Sequence, residues 1–289
     1  MSAIQRAQQY RQFTVSPITR HIGAFIEGVD LSQIESEDLK TELRAALFDF
    51  QVIVFRNQHI TPEQQVLVAR VFGDPDKVKS LFPRHESQKS IEKVESTPTG
   101  YRYGNDQWHA DVTFSNNPPT GTVLYSHVIP PIGGDTLWAS GTTIYDAIPK
   151  ALQDYLETLE AVHTIDNSGW ATYFDQLEDG EQQAQNARVN HPPVVHPVIR
   201  THPVTGRKIV YVNPEFTVRI KGLPRQQSDA LLNFLFYYFQ QPEYQVRLRW
   251  EEKTVAIWDN RATVHYAAAD YDYQERRLSR ITFGEEQAF

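Results

Sequence analysis

Apolar residues fall every four positions in DLKTELRAALFDF, where Leu39, Leu43 and Leu47 share one face of a helix. Ser36, followed by Glu37 and Asp38, supplies its N-cap and acidic first turn. QVIVFRN (51–57) comes next, a nearly continuous apolar run with the length of a buried strand. Thr61-Pro62-Glu63 joins an N-cap, a proline at the first helical position and an acidic first turn, so a second helix starts there and Gly73 can end it. The first quarter of the chain therefore predicts mixed helix and strand.

From about residue 107 the pattern shortens. DVTF, GTVLYSHV, DTLWAS, KIVYVN, TVAIWD and RITF are short β-rich runs separated by Pro, Gly and Asn clusters, the texture of a sandwich or jelly roll. Two stretches with helical spacing interrupt them, IPKALQDYLETLEAVH (148–163) and SDALLNFLFYYFQQ (228–241). Residues 165–195 hold few apolar repeats and many Asn, Gln, Asp and Glu, which suits an insertion or a lid over a site. No repeat or low-complexity tract divides the chain. With 289 residues, 40% of them hydrophobic, it can bury one large core, and the expectation is a single domain over 1–289, mainly β with flanking helices.

Charge and composition narrow the function. The 28 Lys and Arg against 36 Asp and Glu leave a net charge of -8, the wrong sign for a protein that gains affinity by neutralising phosphates, so nucleic acid and anionic membrane are excluded as expected partners. Cysteine is absent, so any metal must be held by His, Asp and Glu. No stretch approaches a signal h-region or the ~18 uninterrupted apolar residues of a membrane span, which predicts a soluble cytoplasmic protein.

QWHADVTF places His109 and Asp111 two positions apart in a run that reads as a strand. On a strand, positions i and i+2 point to one face about 6.6–6.8 Å apart along the chain, so both side chains can converge on one ion. The spacing permits chelation without demanding it, and a hydrogen-bonded polar pair is the alternative. A two-histidine, one-carboxylate metal face needs one more imidazole. Of the remaining nine histidines, His265 stands out in AIWDNRATVHYAAADY, at the start of an extended run after a turn-forming Asp-Asn, where the rim of a sandwich places ligands. In RRLSRITF an extended backbone puts Arg276, Leu278 and Arg280 on one face. Two guanidiniums there would receive two carboxylate-like or sulfonate-like groups; a solvated basic edge strand is the alternative.

Taken together, ITRHIGAFIEGVDLS, WHADVTF, GGDTLWAS, HPVIRTHPVTGRKIVYVN, IWDNRATVHYAAADY and RRLSRITF, in this order and spacing, resemble the taurine dioxygenase (TauD/TfdA) family of Fe(II)- and 2-oxoglutarate-dependent oxygenases. The resemblance implies a distorted jelly roll (double-stranded β-helix) in which His109, Asp111 and His265 bind Fe(II). It implies that 2-oxoglutarate chelates the iron and sets its far carboxylate on Arg276 and Thr136, and that O2 is the second cosubstrate. Relatives that halogenate lack the carboxylate ligand, so Asp111 points to hydroxylation. Relatives are often dimers or tetramers, which implies a homo-oligomer.

For the substrate, the resemblance gives Arg280 the anionic group, assisted by the backbone at Val112 and by Asn105, and Phe216 a place in the pocket. The chain departs from the taurine pattern at KSLF (79–82), where Lys79 and Phe82 stand near a substrate-binding His and Tyr, and in HTIDNSGWATYF, where Trp170 is the nearest bulky residue. The implied reaction is hydroxylation of a small organic anion. A sulfonate such as taurine or an alkyl sulfonate would release sulfite and an aldehyde beside succinate and CO2. A sulfate ester or aryloxy carboxylate is the alternative. A Zn-dependent hydrolase could use the same three ligands, and a non-catalytic jelly-roll binding module would leave them incidental.

Overall fold

The computed structural model describes residues 2–76, 85–96, 107–169, 174, 178–272 and 274–289. The N-terminal part runs α1 (Ala3–Ala7), β1 (Thr14–Pro17), β2 (Ala24–Glu27), α2 (Glu37–Phe50), β3 (Val52–Phe55), α3 (Pro62–Phe72) and β4 (Glu92–Ser96). Next come β5 (Gly121–Val128), β6 (Thr136–Ser140), α4 (Gly141–Ala147), α5 (Lys150–Leu156), β7 (Glu160–His163) and α6 (Gly180–Asn190). The chain closes with β8 (Val194–Pro197), β9 (Ile199–Thr201), β10 (Lys208–Val210), β11 (Thr217–Ile220), α7 (Arg225–Phe239), β12 (Gln245–Leu248), β13 (Val255–Asp259), β14 (Thr263–Ala267) and β15 (Arg276–Phe283).

Local chemistry explains the first helices. The Ser36 hydroxyl accepts from the Leu39 amide and caps α2. Thr61 and Gln64 form a reciprocal capping box on α3, with Pro62 in the first turn and Gly73 at its end.

Seven strands form the main sheet in the order β1-β2-β3-β13-β5-β15-β4, antiparallel except for β2 with β3. Opposite it lies a three-stranded sheet, β12-β6-β14. Alternation along β13 shows why its run is continuously apolar: Val255 and Ile257 face the core under α2 and α3, whereas Ala256 and Trp258 face the interior between the sheets. β3 divides the same way, with Ile53 and Phe55 on one side and Val52 and Val54 on the other. Trp138 from β6 meets Trp258 across the gap at 5.6 Å between ring centroids, and both are almost fully buried. This is the double-stranded jelly roll that the motifs implied. A third sheet, β11-β7-β8, and the pair β10-β9 flank it. Among the described residues no helix is long and apolar enough to cross a membrane.

Three expectations need correction. The helical pattern over 148–163 is helix only to Leu156; Glu160–His163 is β7, paired with β8 and β11. Its β-branched Val162 and buried His163 sit in ladders whose partners lie far along the chain, and these override the local helical spacing. DVTF is not a strand either: residues 111–114 form a turn, with Val112 at φ +57°. The KIVYVN run is strand only as far as Val210.

Candidate active site

His109 and His265 are held together by backbone. The His109 amide donates to the His265 carbonyl at 2.9 Å and the His265 amide to the His109 carbonyl at 2.6 Å, an isolated antiparallel bridge beside β14. Their rings lie 4.0 Å apart between centroids. Asp111 is placed by a side chain from the other end of the chain. The Asn260 carboxamide accepts from the Asp111 amide at 2.7 Å and donates to the Asp111 carbonyl at 2.9 Å and to the Pro119 carbonyl at 3.0 Å. Both backbone groups that a β ladder would need are thereby taken, which is why the run turns. A β-branched residue at positive φ is costly, and the Asn260 clamp beside it is what holds Val112 there.

The two carboxylate oxygens of Asp111 have different partners. Oδ2 accepts from the Thr122 hydroxyl at 2.8 Å. Oδ1 accepts from NH1 of Arg280 at 3.0 Å and lies 4.0 and 3.9 Å from Nε2 of His109 and His265. One ligand atom from each of the three buried residues lies within 4.8 Å of the other two. At bond lengths of about 2.1 Å, atoms held by one ion would stand roughly 3 Å apart, so the three side chains would draw together by about one to two ångströms to hold a metal.

Their protonation suits a metal too. Burial alone would raise the Asp111 carboxyl, but the Arg280 guanidinium, the flanking imidazoles and the Thr122 hydroxyl outweigh it and hold it at about 2. Burial, reinforced by His109, lowers His265 well below the ordinary imidazole value and keeps it neutral. An ionised carboxylate and a neutral imidazole are the forms that bind metal. Behind His109, Nδ1 lies 2.8 Å from the Gln107 carbonyl and 3.2 Å from Oε2 of the buried Glu215, leaving Nε2 toward Asp111.

Arg276, the first residue of β15, is buried. Its Nε donates to the Gly134 carbonyl at 3.3 Å and its guanidinium lies over the Tyr271 ring. Gly134, at φ +72°, lets the arginine lie this close: a Cβ there would meet Nε at 3.2 Å and Cδ at 3.3 Å. Two residues on, the buried Thr136 hydroxyl accepts from the Trp250 indole at 2.9 Å. With its acceptor side so used, the hydroxyl hydrogen can point elsewhere. On the same face of β15, Arg280 donates through Nε to Glu92 at 2.6 Å.

Phe216 stands edge-on to the His109 ring at 6.3 Å and to Phe114 at 5.1 Å. Ile165, Phe174 and Ala187, all from the polar 165–195 region, pack on this pair. Lys79, Phe82, Asn105 and Trp170 lie outside the described residues.

The structure thus brings His109, Asp111, His265 and Arg280 together, sets Arg276 near the strand of Thr136, and places Phe216 and Val112 beside the cluster. Sequence reasoning missed Asn260, Thr122, Glu215, Trp250 and Glu92. Asn260 was visible only as a turn former and Thr122 only as a strand residue, because their partners lie on other elements.

The family model described as "Taurine catabolism dioxygenase TauD, TfdA family" matches residues 14–282. An alkylsulfatase from Acinetobacter baylyi is 34% identical over 278 residues, 96% of this chain and 86% of that protein. An alpha-ketoglutarate-dependent sulfate ester dioxygenase from Pseudomonas putida is 33% identical over 289 residues, 99% of this chain and 94% of that protein. A taurine dioxygenase from Burkholderia xenovorans, known from its crystal structure, matches with a TM-score of 0.80 at 31% identity, covering 96% of this chain and 95% of that one. The match spans the strands of both jelly-roll sheets and all three residues of the His-Asp-His cluster, and the chain belongs to the TauD/TfdA family of dioxygenases.

Proposed function

We propose that the protein is an Fe(II)- and 2-oxoglutarate-dependent dioxygenase that hydroxylates an organosulfur monoanion, an alkyl sulfonate or an alkyl sulfate ester, at the carbon next to the heteroatom. The observation that carries this reading is the contact between NH1 of Arg280 and Oδ1 of Asp111, which puts an anion-seeking guanidinium against the metal-binding cluster. The relatives named for sulfate esters and for taurine support the substrate class.

In this reading His109, Asp111 and His265 would hold the metal. When bound, iron and 2-oxoglutarate supply the oxidation: O2 converts the cosubstrate to succinate and CO2, and its second oxygen atom goes to a substrate C–H bond. Arg276 pairs with the distal carboxylate of 2-oxoglutarate, and the Thr136 hydroxyl, already accepting from Trp250, donates to it. Arg280 takes the sulfo group and so fixes which carbon faces the metal. Phe216, Phe114 and the apolar residues packed on them exclude water from that side. A carbon that carries both a new hydroxyl and the sulfur-bearing group collapses to a carbonyl compound, releasing sulfite from a sulfonate or sulfate from a sulfate ester.

The test is a screen of alkyl sulfonates, alkyl sulfates and aryloxy acids for succinate formation with Fe(II) and 2-oxoglutarate under air. Sulfite or sulfate release distinguishes the first two. Substrate cleavage that proceeds without O2 or 2-oxoglutarate would mark a hydrolase and reject the proposal.

Two variants probe the roles of individual residues. Arg276→Ala leaves the 2-oxoglutarate carboxylate without its buried cation, and the KM for 2-oxoglutarate rises about 10²-fold or more while iron binding is retained. An unchanged KM removes Arg276 from this role. Thr122→Val removes the hydroxyl that orients Asp111, and calorimetric titration should show Fe(II) affinity reduced by about 10–100-fold.

A further inference from the structure

We infer that Glu92 sets the charge of the anion this site accepts: it anchors Arg280 on its Nε side and matches the site to a singly charged sulfo group over a doubly charged phosphate ester. The inference rests on Arg280 receiving the substrate's anionic group, as proposed above.

Glu92 opens β4, the edge strand of the main sheet, and stands directly across from Arg280 on β15. Its Oε2 accepts from Nε of Arg280 at 2.6 Å, and both side chains are buried, at 4% and 8% exposure. The surroundings are apolar, with Ile91 in the core under the helices and Val94 and Leu278 in the interior between the sheets. Packing therefore does not call for an acid here, and a buried carboxylate is expensive unless it is paired.

The pairing has a geometric consequence. A guanidinium presents its donors along two edges. With the Nε side committed to Glu92, the end carrying the terminal nitrogens faces the cluster, where NH1 meets Asp111. Glu92 is thus a positioning residue for the arginine.

Its charge has a second consequence. Arg280 stands between two buried carboxylates, Glu92 and Asp111. With Asp111 committed to the metal, each additional negative charge on an incoming group is repelled by Glu92, and more strongly in the protein interior than in water. An alkyl sulfate or sulfonate carries one charge at neutral pH, whereas an alkyl phosphate carries about 1.5 to 2.

The experiment compares wild type, Glu92→Gln and Glu92→Ala, each with Fe(II) and 2-oxoglutarate under anaerobic conditions. Calorimetry gives dissociation constants for an alkyl sulfate, an alkyl phosphate of the same chain length, and 2-oxoglutarate. Glu92→Gln keeps an oxygen that can accept from Nε but removes the charge: alkyl sulfate affinity stays within about threefold of wild type, while alkyl phosphate gains at least about tenfold relative to it. Glu92→Ala releases the guanidinium, and alkyl sulfate affinity falls at least about tenfold with 2-oxoglutarate affinity unchanged and the unfolding transition intact. A wild-type phosphate-to-sulfate ratio in Glu92→Gln, or wild-type sulfate affinity in folded Glu92→Ala, overturns the inference. Because these constants are read without turnover, a lack of succinate formation by the wild type under air would reject the proposed reaction and leave this result separately readable.

Discussion

Replacing Asp111 with alanine lowers substrate-dependent succinate formation by at least about 10³-fold and weakens Fe(II) binding, since even residues that only orient a ligand are worth about 10–100-fold. The local structure makes the experiment clean. Asn260 holds the backbone amide and carbonyl of residue 111, not its side chain, so the turn and the positive φ of Val112 have the same support in the variant. What disappears is the oxygen facing both imidazoles, together with the partner of Arg280 NH1 and of the Thr122 hydroxyl. Asp111→Asn removes the charge with almost no change of shape. Full iron-dependent turnover in either variant would show that the metal is held elsewhere.

Asp259→Ala has the largest expected effect on stability. At the end of β13, Asp259 is buried and accepts from the Arg261 amide, Nε and NH2 at 3.0, 2.9 and 2.8 Å and from Nε2 of His202 at 2.9 Å. Arg261 also reaches Glu286, which pairs with the buried Arg200, so the C-terminal segment is tied to the same cluster. Truncating Asp259 leaves Arg261 buried with that weaker partner, a loss of about 3–5 kcal/mol. In a protein of this size the unfolding temperature falls on the order of 10 °C.

The same residue makes a prediction about pH. Burial alone would raise its carboxyl, but Arg261 and His202 outweigh it and hold it well below the ordinary carboxylate range. A group depressed in the folded state contributes stability that is complete above its unfolded value, near 3.9, and is lost as pH falls toward the folded value. Denaturant unfolding between pH 5 and 3 should therefore show a steeper loss for wild type than for Asp259→Ala. Parallel curves would show that Asp259 is not linked to acid stability.

How far the sequence could be read depended on where each residue's partners lie. Ser36 and Thr61-Pro62 announce α2 and α3 because caps act over three or four positions. Strand alternation in RRLSRITF put Arg276 and Arg280 on one face, and in β15 both are buried. Short β-rich runs between turn clusters pointed to a sandwich or jelly roll, and the ordered motifs narrowed it to the double-stranded β-helix. His109 and Asp111 do converge, but the strand geometry assumed for them is wrong: their approach is made by a turn that Asn260 imposes from a distant loop. The His163 region failed for the same reason, since β7 is specified by β8 and β11 and not by its own spacing. Thr122, Glu215, Glu92 and Trp250 have no local signature at all. Each is an ordinary residue until the fold supplies its partner.

The backbone bridge between His109 and His265 also bears on how the protein reaches its native state. The two residues come from different halves of the chain, so joining their amides and carbonyls closes a long loop at a cost in chain entropy. A chain in which this bridge has not formed lacks the metal-binding face, so high metal affinity belongs to the folded topology. Ligand binding restricted to the native state draws the folding equilibrium toward it by mass action. Iron held by this face therefore stabilises the folded molecule over chains in which the bridge has not formed.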